Sequence, residues 1–381
     1  MAYFDNAATS YPKPDEVYAF MDSFYRNYGG NAGRGSYSMA KTAKGVIDET
    51  RFLLCELLHC PAKQVVFTSS ATIALNMIIQ GVISKGVRSV YISPFEHNAV
   101  TRILHHYEEI GRITVTELAI SNLFEYNIER IKYQFDAIRP ELVIVSHASN
   151  VTGLIAPVKE IFALSKSYNA INIVDMAQTA GLVDLNVGLE TIDFAVFAGH
   201  KSLFGPTGIA GFVMKHEFVL PPLLFGGTGY DSANQNMPDS IPEKYEMGTL
   251  NIAGIAGLNA ALKWIKQQTV PRLFADEQNK RNRLLALIQS YPFLKTIGIV
   301  DSREYVGIVS CLMDGMSSDT IGGVFSERGV AVRTGLQCAP RAHRFLGTYP
   351  AGTIRFSVNA LTEEKDFKEL EDALDDIRDS L

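Results

Sequence analysis

The sequence predicts an α/β fold, a large domain built on a mostly parallel sheet followed by a smaller α+β C-terminal domain, on three observations. Short β-branched runs alternate with stretches of helical spacing through the first two-thirds of the chain, the signature of βαβ units. Two of these runs, Leu142-Val143-Ile144-Val145 and Ile171-Asn172-Ile173-Val174, lack polar alternation, as expected of strands covered on both faces. Composition then changes near Leu220. There Pro221-Pro222, Gly226-Gly227-Thr228-Gly229 and Pro238 to Pro242 form a connection too long for an ordinary loop.

Taken in order, strands are expected at Gln64–Thr68, Arg88–Ser93, Ile113–Leu118, Glu141–Ser146, Ala170–Asp175 and Ile192–Ala198. Helices are expected between them at Thr72–Lys85, His97–Ile110, Asn127–Ile138 and Pro157–Tyr168. Thr72–Lys85 is apolar nearly all round (Ile73, Leu75, Met77, Ile78, Ile79, Val82, Ile83) and should lie buried against the sheet. A helical region runs from Ala253 to about Tyr291, interrupted at Pro271. The remainder reads as strand Val306–Met313, helix Ser318–Arg328, strands Val330–Arg333 and Thr353–Val358, and a last helix Thr362–Leu381. That helix carries Phe367, Leu370, Leu374, Ile377 and Leu381 on one face, with Thr362 placed as its N-cap. The expected domains are 16–255 and 256–381, with residues 1–15 as a segment packing against the smaller one.

Composition narrows the functional classes. The chain has 381 residues, 35 basic against 41 acidic, for a formal charge of −6. That balance argues against holding a nucleic-acid backbone by bulk charge. No apolar run approaches the ~20 residues that span a bilayer, and the start, Met1-Ala2-Tyr3-Phe4-Asp5, is unlike a signal peptide. Four cysteines without a Cys-x-x-Cys or Cys/His cluster suggest neither a disulfide framework nor a metal site, and a reducing cytoplasm is expected.

Polar residues gather at the C-terminal ends of the expected strands, the edge where open α/β sheets bind ligands. Thr68-Ser69-Ser70-Ala71-Thr72 opens the buried helix, either as a cap or as an anion site suited to phosphate. His97, in Ser93-Pro94-Phe95-Glu96-His97, and the pair His147 and Asn150 end two other strands. Asp175 could equally cap a helix or face a ligand cation. The strongest local signal is Ala198-Gly199-His200-Lys201-Ser202-Leu203-Phe204-Gly205, a lysine in a glycine-flanked turn at the same edge. A solvated surface charge is the usual fate of lysine, but a Schiff base to a cofactor needs an amine there. Lys201, Asp175 and the Ser/Thr turn together match the three handles of pyridoxal phosphate.

Asp5-Asn6-Ala7-Ala8-Thr9, Glu96-His97, Asn150, Asp175-x-x-Gln178, Gly199-His200-Lys201, Gly248-Thr249 and Arg333-Thr334-Gly335-Leu336-Gln337-Cys338-Ala339 resemble the class V aminotransferase group almost end to end. The chain is most similar to its cysteine desulfurase and selenocysteine lyase branch, in the subgroup with an Arg-x-Gly motif before the reactive cysteine. The resemblance implies the type I pyridoxal-phosphate fold and a homodimer with a shared active site. It implies Lys201 as the Schiff-base lysine and His97 stacked on the cofactor ring. Asp175 would sit at the ring nitrogen and Gln178 at the phenolic oxygen. Ala71, Thr72 and His200 would hold the phosphate, with Thr249 reaching it from the neighbouring subunit. Asn150 and Arg355 would grip the substrate carboxylate, with Arg333 a second candidate, and Cys338 would take the sulfur. Ala198 stands where many relatives carry a hydroxyl for the phosphate, with Ser70 the candidate replacement. Leu336 and Gln337 stand where well-known members carry histidines. The implied reaction converts L-cysteine to L-alanine with a persulfide on Cys338. That sulfur would pass to an acceptor protein, for iron–sulfur cluster assembly or another pathway. Alternatives are selenocysteine lyase, or another class V lyase or transaminase. Cys55, Cys60 and Cys311 are expected to be packing residues.

Overall fold

A computed structural model describes residues 1–33, 35–230 and 233–380. The chain begins with β1 (Ala2–Tyr3), α1 (Asp15–Tyr28), α2 (Ser38–Leu57), β2 (Gln64–Thr68) and α3 (Ala71–Ser84). Next come β3 (Ser89–Ile92), α4 (Asn98–Glu109), β4 (Thr114–Glu117), α5 (Ile128–Ala137), β5 (Leu142–Ser146) and α6 (Val158–Lys166). Strands β6 (Ile171–Asp175), β7 (Phe194–Ala198) and β8 (Ala210–Met214) follow, then α7 (Ile252–Gln268) and α8 (Val270–Gln289). The chain ends with β9 (Leu294–Ile297), β10 (Ile308–Met313), α9 (Ser318–Glu327), β11 (Val330–Ala331), β12 (Arg333–Gly335), α10 (Pro340–Phe345), β13 (Thr353–Ser357) and α11 (Glu364–Ser380).

The large sheet has the order β2-β8-β7-β6-β5-β3-β4. All its pairings are parallel except those of β8, which runs antiparallel to both β2 and β7. Strands β5, β7 and β8 are buried at every residue, which is why their sequences show no alternation. Side chains divide between two cores. Val143, Val145, Val174 and Phe197 face one, while Ile144, Ile173, Val196 and Phe212 face the other together with α3. Gly211 in β8 is obligatory on packing grounds, because a Cβ there would collide with the Val66 carbonyl and the Phe197 ring.

A second, antiparallel sheet of order β12-β13-β10-β9 packs with α8, α9 and α11 over a third core that includes Phe325, Phe356 and Leu370. The N-terminal strand β1 joins this region by pairing with β11. The expected division at 255/256 falls inside α7, whose Ile255, Leu258, Leu262 and Ile265 join the large core with Ala43 and Ile47 of α2.

Several boundaries differ from expectation. The helical break comes at Thr269, with φ +67, and Pro271 sits in the first turn of α8, where its missing N–H costs nothing. The single strand expected at Val330–Arg333 is two short ladders, on β1 and on β13. Helix α11 starts at Glu364, and Thr362 is not its cap: its Oγ1 accepts from the Asn359 N–H at 3.0 Å, closing the preceding turn. Leu381 lies outside the described residues.

Candidate active site

Parallel strands send their carboxyl ends to one edge, and here β5, β6 and β7 end there in Ser146, Asp175 and Ala198. These residues line a cavity of about 280 Å³, together with the starts of α3 and α4 and residues of the smaller sheet. Asp175 is buried, and one carboxylate oxygen accepts from the Ala177 N–H at 2.9 Å. Burial raises its pKa, the Ala177 bond and Lys201 opposing. A cationic ring nitrogen at its other oxygen would therefore be a strong partner. Beside it, buried Glu96 accepts from the Ser146 N–H and hydroxyl at 2.6 and 2.8 Å, and burial pushes its pKa up to about 8.

Lys201 follows β7 in the turn predicted to carry the chemistry. Its Nζ makes no hydrogen bond or ion pair among the described residues, and burial lowers its pKa against the pull of Asp175. Both conditions favour a neutral, nucleophilic amine. His200 beside it is pushed down to about 4 by burial, and its Nδ1 is buried without a partner. The His200 carbonyl accepts from the Ser10 N–H and the Thr9 hydroxyl, both at 3.0 Å, so the N-terminal segment straps this turn.

His97 is the N-cap of α4. Its Nδ1 accepts from the Ala99 N–H at 3.0 Å, which puts the ring proton on Nε2. Burial, then Lys201, lowers its pKa to about 4, so the ring is neutral. At the start of α3, Ala71 and Thr72 line the cavity with Ser70. The Ser70 hydroxyl caps Ile73 by accepting at 3.3 Å, which leaves its proton available. The helix N-terminus and that hydroxyl are suited to an anion, and Ser70 offers the donor missing at Ala198. Gln178 lines the same cavity, and its amide donates to the Ala7 carbonyl at 2.9 Å.

Opposite stand Asn150, Arg333, Arg355 and Cys338. Arg355 is buried, with Nη2 on Asp5 Oδ1 at 2.7 Å and Nη1 on the Asn150 carbonyl at 2.8 Å, while its Nε has no partner. Arg333 is exposed and lies directly across from it in the β12–β13 register. Asn150 directs its amide to the Gln337 carbonyl at 2.7 Å. Cys338 is exposed and free; Cys60 and Cys311 are buried and Cys55 half-buried.

The cavity thus gathers Ala71, Thr72, His97, Asn150, Asp175, Gln178, His200, Lys201, Arg333, Cys338 and Arg355. Thr249 is not among its lining residues. It is exposed on a separate cleft formed by α2 with residues 29–33, Gly35, 227–230 and parts of 242–253. The countercharge Asp5 opens the Asp5-Asn6-Ala7-Ala8-Thr9 motif but was not assigned a role from sequence. Among the described residues no group of three or more His, Cys, Asp or Glu could hold a metal ion.

A family model described as Aminotransferase class-V matches residues 2–370. The chain belongs to the aminotransferase class-V family. A Methanothermobacter thermautotrophicus protein named "Probable cysteine desulfurase" is 29% identical over 98% of this chain and 94% of its own length. A protein of the same name from Pyrococcus abyssi is 29% identical over 96% and 92%. Among solved structures, the apo cysteine desulfurase from Thermococcus onnurineus NA1 matches with a TM-score of 0.90 at 26% identity, over 100% of this chain and 95% of that one. The fold is the type I pyridoxal-phosphate fold, and class-V members work with pyridoxal 5′-phosphate. The cavity fits that group: an unpaired amine at half-buried Lys201, an orphaned Nδ1 at His200, a buried carboxylate and a helix N-terminus converge on one space.

Proposed function

We propose that this chain is a pyridoxal-phosphate-dependent cysteine desulfurase, converting L-cysteine to L-alanine with the sulfur left as a persulfide on Cys338. The observation that carries the reading is one cavity shared by an unpaired, half-buried lysine, a buried aspartate and an exposed thiol. Lys201 would hold the cofactor covalently, Asp175 its ring nitrogen, His97 its ring face and Gln178 its phenolic oxygen. Ser70, Ala71, Thr72 and His200 would take the phosphate. When bound, the cofactor supplies an electron sink for charge developed at the substrate Cα.

The protein groups then divide the work. Arg355 orients the substrate carboxylate through its planar fork, with Asn150 and Arg333 beside it. A neutral Lys201 amine is able to accept the Cα proton and return one at the end. The Cys338 thiolate attacks the substrate sulfur: the new S–S bond forms as the Cβ–S bond breaks. The electrons of that bond stay with the three-carbon fragment, which takes up a proton and leaves as alanine.

The same proposal includes a homodimer in which Thr249, exposed away from its own cavity, reaches the phosphate of the neighbouring subunit. It also includes a cytoplasmic location and a protein that accepts the sulfur. Among the described residues no helix is long and apolar enough to cross a membrane.

The test is the purified protein loaded with pyridoxal phosphate, given L-cysteine and a reductant, with alanine and sulfide assayed together. Equal yields are expected. Cys338→Ser should keep the absorbance of the bound cofactor and release no sulfide. Sulfide release by that variant at the wild-type rate, or a keto acid in place of alanine, would overturn the reading.

A further inference from the structure

The turn presenting Cys338 has an unusual backbone. Gln337 and Cys338 are consecutive non-glycine residues with positive φ, +40 and +57. A side chain in that region crowds its own backbone, and such residues persist only where their surroundings over-determine them. Here the constraint comes from Gln337. While Cys338 is exposed at the cavity, its neighbour is only 6% exposed and both ends of its amide are hydrogen-bonded in the protein interior.

The bonds fix the amide's orientation. Nε2 donates to the Thr353 carbonyl of β13 at 2.9 Å, and a carbonyl can only accept. Oε1 therefore faces His343 Nε2 at 2.9 Å, with the Thr353 hydroxyl at 3.3 Å. His343 is buried in α10 and held in turn by Thr348 through Nδ1 at 2.7 Å. Main-chain bonds complete the clamp. The Gln337 carbonyl accepts from Asn150 Nδ2, and the Cys338 carbonyl accepts from the Asn98 N–H, both at 2.7 Å.

We propose that Gln337 is the positioning residue for Cys338: its buried side chain locks the turn 335–339 onto β13 and α10 and holds the thiol at the cavity. The proposal rests on the reading of Cys338 as the sulfur-accepting thiol. It means that the thiol is set before substrate arrives, and that an acceptor takes the sulfur at the cavity mouth without an excursion of the turn.

The test uses the pyridoxal-phosphate-loaded full chain and Gln337→Met, which keeps the side-chain length and removes its hydrogen bonds. Amide hydrogen exchange of the peptide spanning 335–340 is followed with Cys338 alkylation, kcat, KM and cofactor absorbance. In the wild type that peptide should exchange well below the rate of the exposed 227–230 segment. In Gln337→Met its exchange should rise, and kcat fall, by about tenfold or more, as expected from losing three buried hydrogen bonds. KM should move less than about threefold, because Arg355, the main carboxylate group, lies outside the turn. Cofactor absorbance should stay near wild type, while the unfolding midpoint should fall modestly, since the unfolded chain makes none of these bonds. Wild-type exchange of 335–340 as fast as 227–230 would overturn the proposal, and it requires no variant to fold. So would a Gln337→Met protein whose exchange and kcat remain within about twofold of wild type. Wild-type protein that releases no sulfide from cysteine would sink the functional reading, while exchange and alkylation still judge the lock.

Discussion

His147 offers a direct way to measure how tightly the cofactor-side strand ends are built. It follows β5, is buried, and its Nδ1 meets the Thr179 hydroxyl at 2.9 Å. Its main-chain N–H donates to the Asp175 carbonyl at 2.9 Å, so it braces the residue proposed to face the cofactor ring. Burial lowers its pKa from 6.5 to about 4. The unfolded chain therefore takes up the proton first. The stability His147 contributes is intact above the unfolded value, is lost as pH falls through 6.5, and levels off below the folded value. At about pH 5 the loss is roughly 2 kcal/mol, a sizeable part of the stability of a typical domain. Absolute stability would not reveal it, because buried Glu96 and Glu277, both raised to about 8, bind protons more tightly when folded and act in the opposite sense. The difference between wild type and His147→Asn isolates it, since Asn can keep the bond to Thr179 without titrating. Urea unfolding of both proteins near pH 7.5 and near pH 5 should show that difference shifting by about 2 kcal/mol in favour of the variant. A difference that stays flat across this window would refute the reasoning.

Three further outcomes are expected. Borohydride treatment of the pyridoxal-phosphate-loaded wild type should fix a pyridoxyl group on Lys201, found by peptide mass, and Lys201→Ala should carry none. Asp5→Ala leaves the buried Arg355 guanidinium without its countercharge and should cost about 3 kcal/mol or more of stability, read as a lowered urea midpoint. Gly352→Ala adds a Cβ at φ +76 that collides with the Gly335 backbone at the base of the Cys338 turn. It should lower stability by about 2–4 kcal/mol, measured by thermal or urea unfolding.

What could be read from sequence follows the range of the interactions involved. Strands β5 and β7 were legible because complete burial leaves a continuous apolar signature, β6 because all of it but Ile171 is buried, and α3 because it is apolar nearly all round. Helices α1 and α2 were not expected from sequence, although each carries an apolar stripe at helical spacing: α1 buries Val17 and Phe24, and α2 buries Ala40, Ala43, Ile47, Leu53 and Leu54. Strand β8, as long as β5, β6 and β7, was missed because it carries Gly211, whose value lies in what its missing side chain lets approach. In the site, Asp175, His97 and Ser70 were legible because each ends a strand or starts a helix, and Lys201 because it sits in the glycine-flanked turn after β7; parallel topology brings those ends together. The partners of Arg355 and Gln337 were not, because nothing local in Asp5, Thr353 or His343 says where the chain will bring it.

Those long-range contacts explain why the cavity is a property of the whole chain. Arg355 joins Asp5 across 350 positions and Asn150 across 205, and Asn150 joins Gln337 across 187. A buried guanidinium is tolerable only while its partners are in place, so Arg355 depends on the N-terminal segment reaching it. That segment also holds the His200 carbonyl beside Lys201 and, through β1, pairs with β11 two residues before Arg333. The amine side and the thiol side of the cavity are thus tied to the same few N-terminal residues. Neither side can reach its described geometry by folding of its own sheet alone. A loosened N-terminus should therefore disturb the Lys201 turn and the Arg355 fork together, even though the two lie on different sheets.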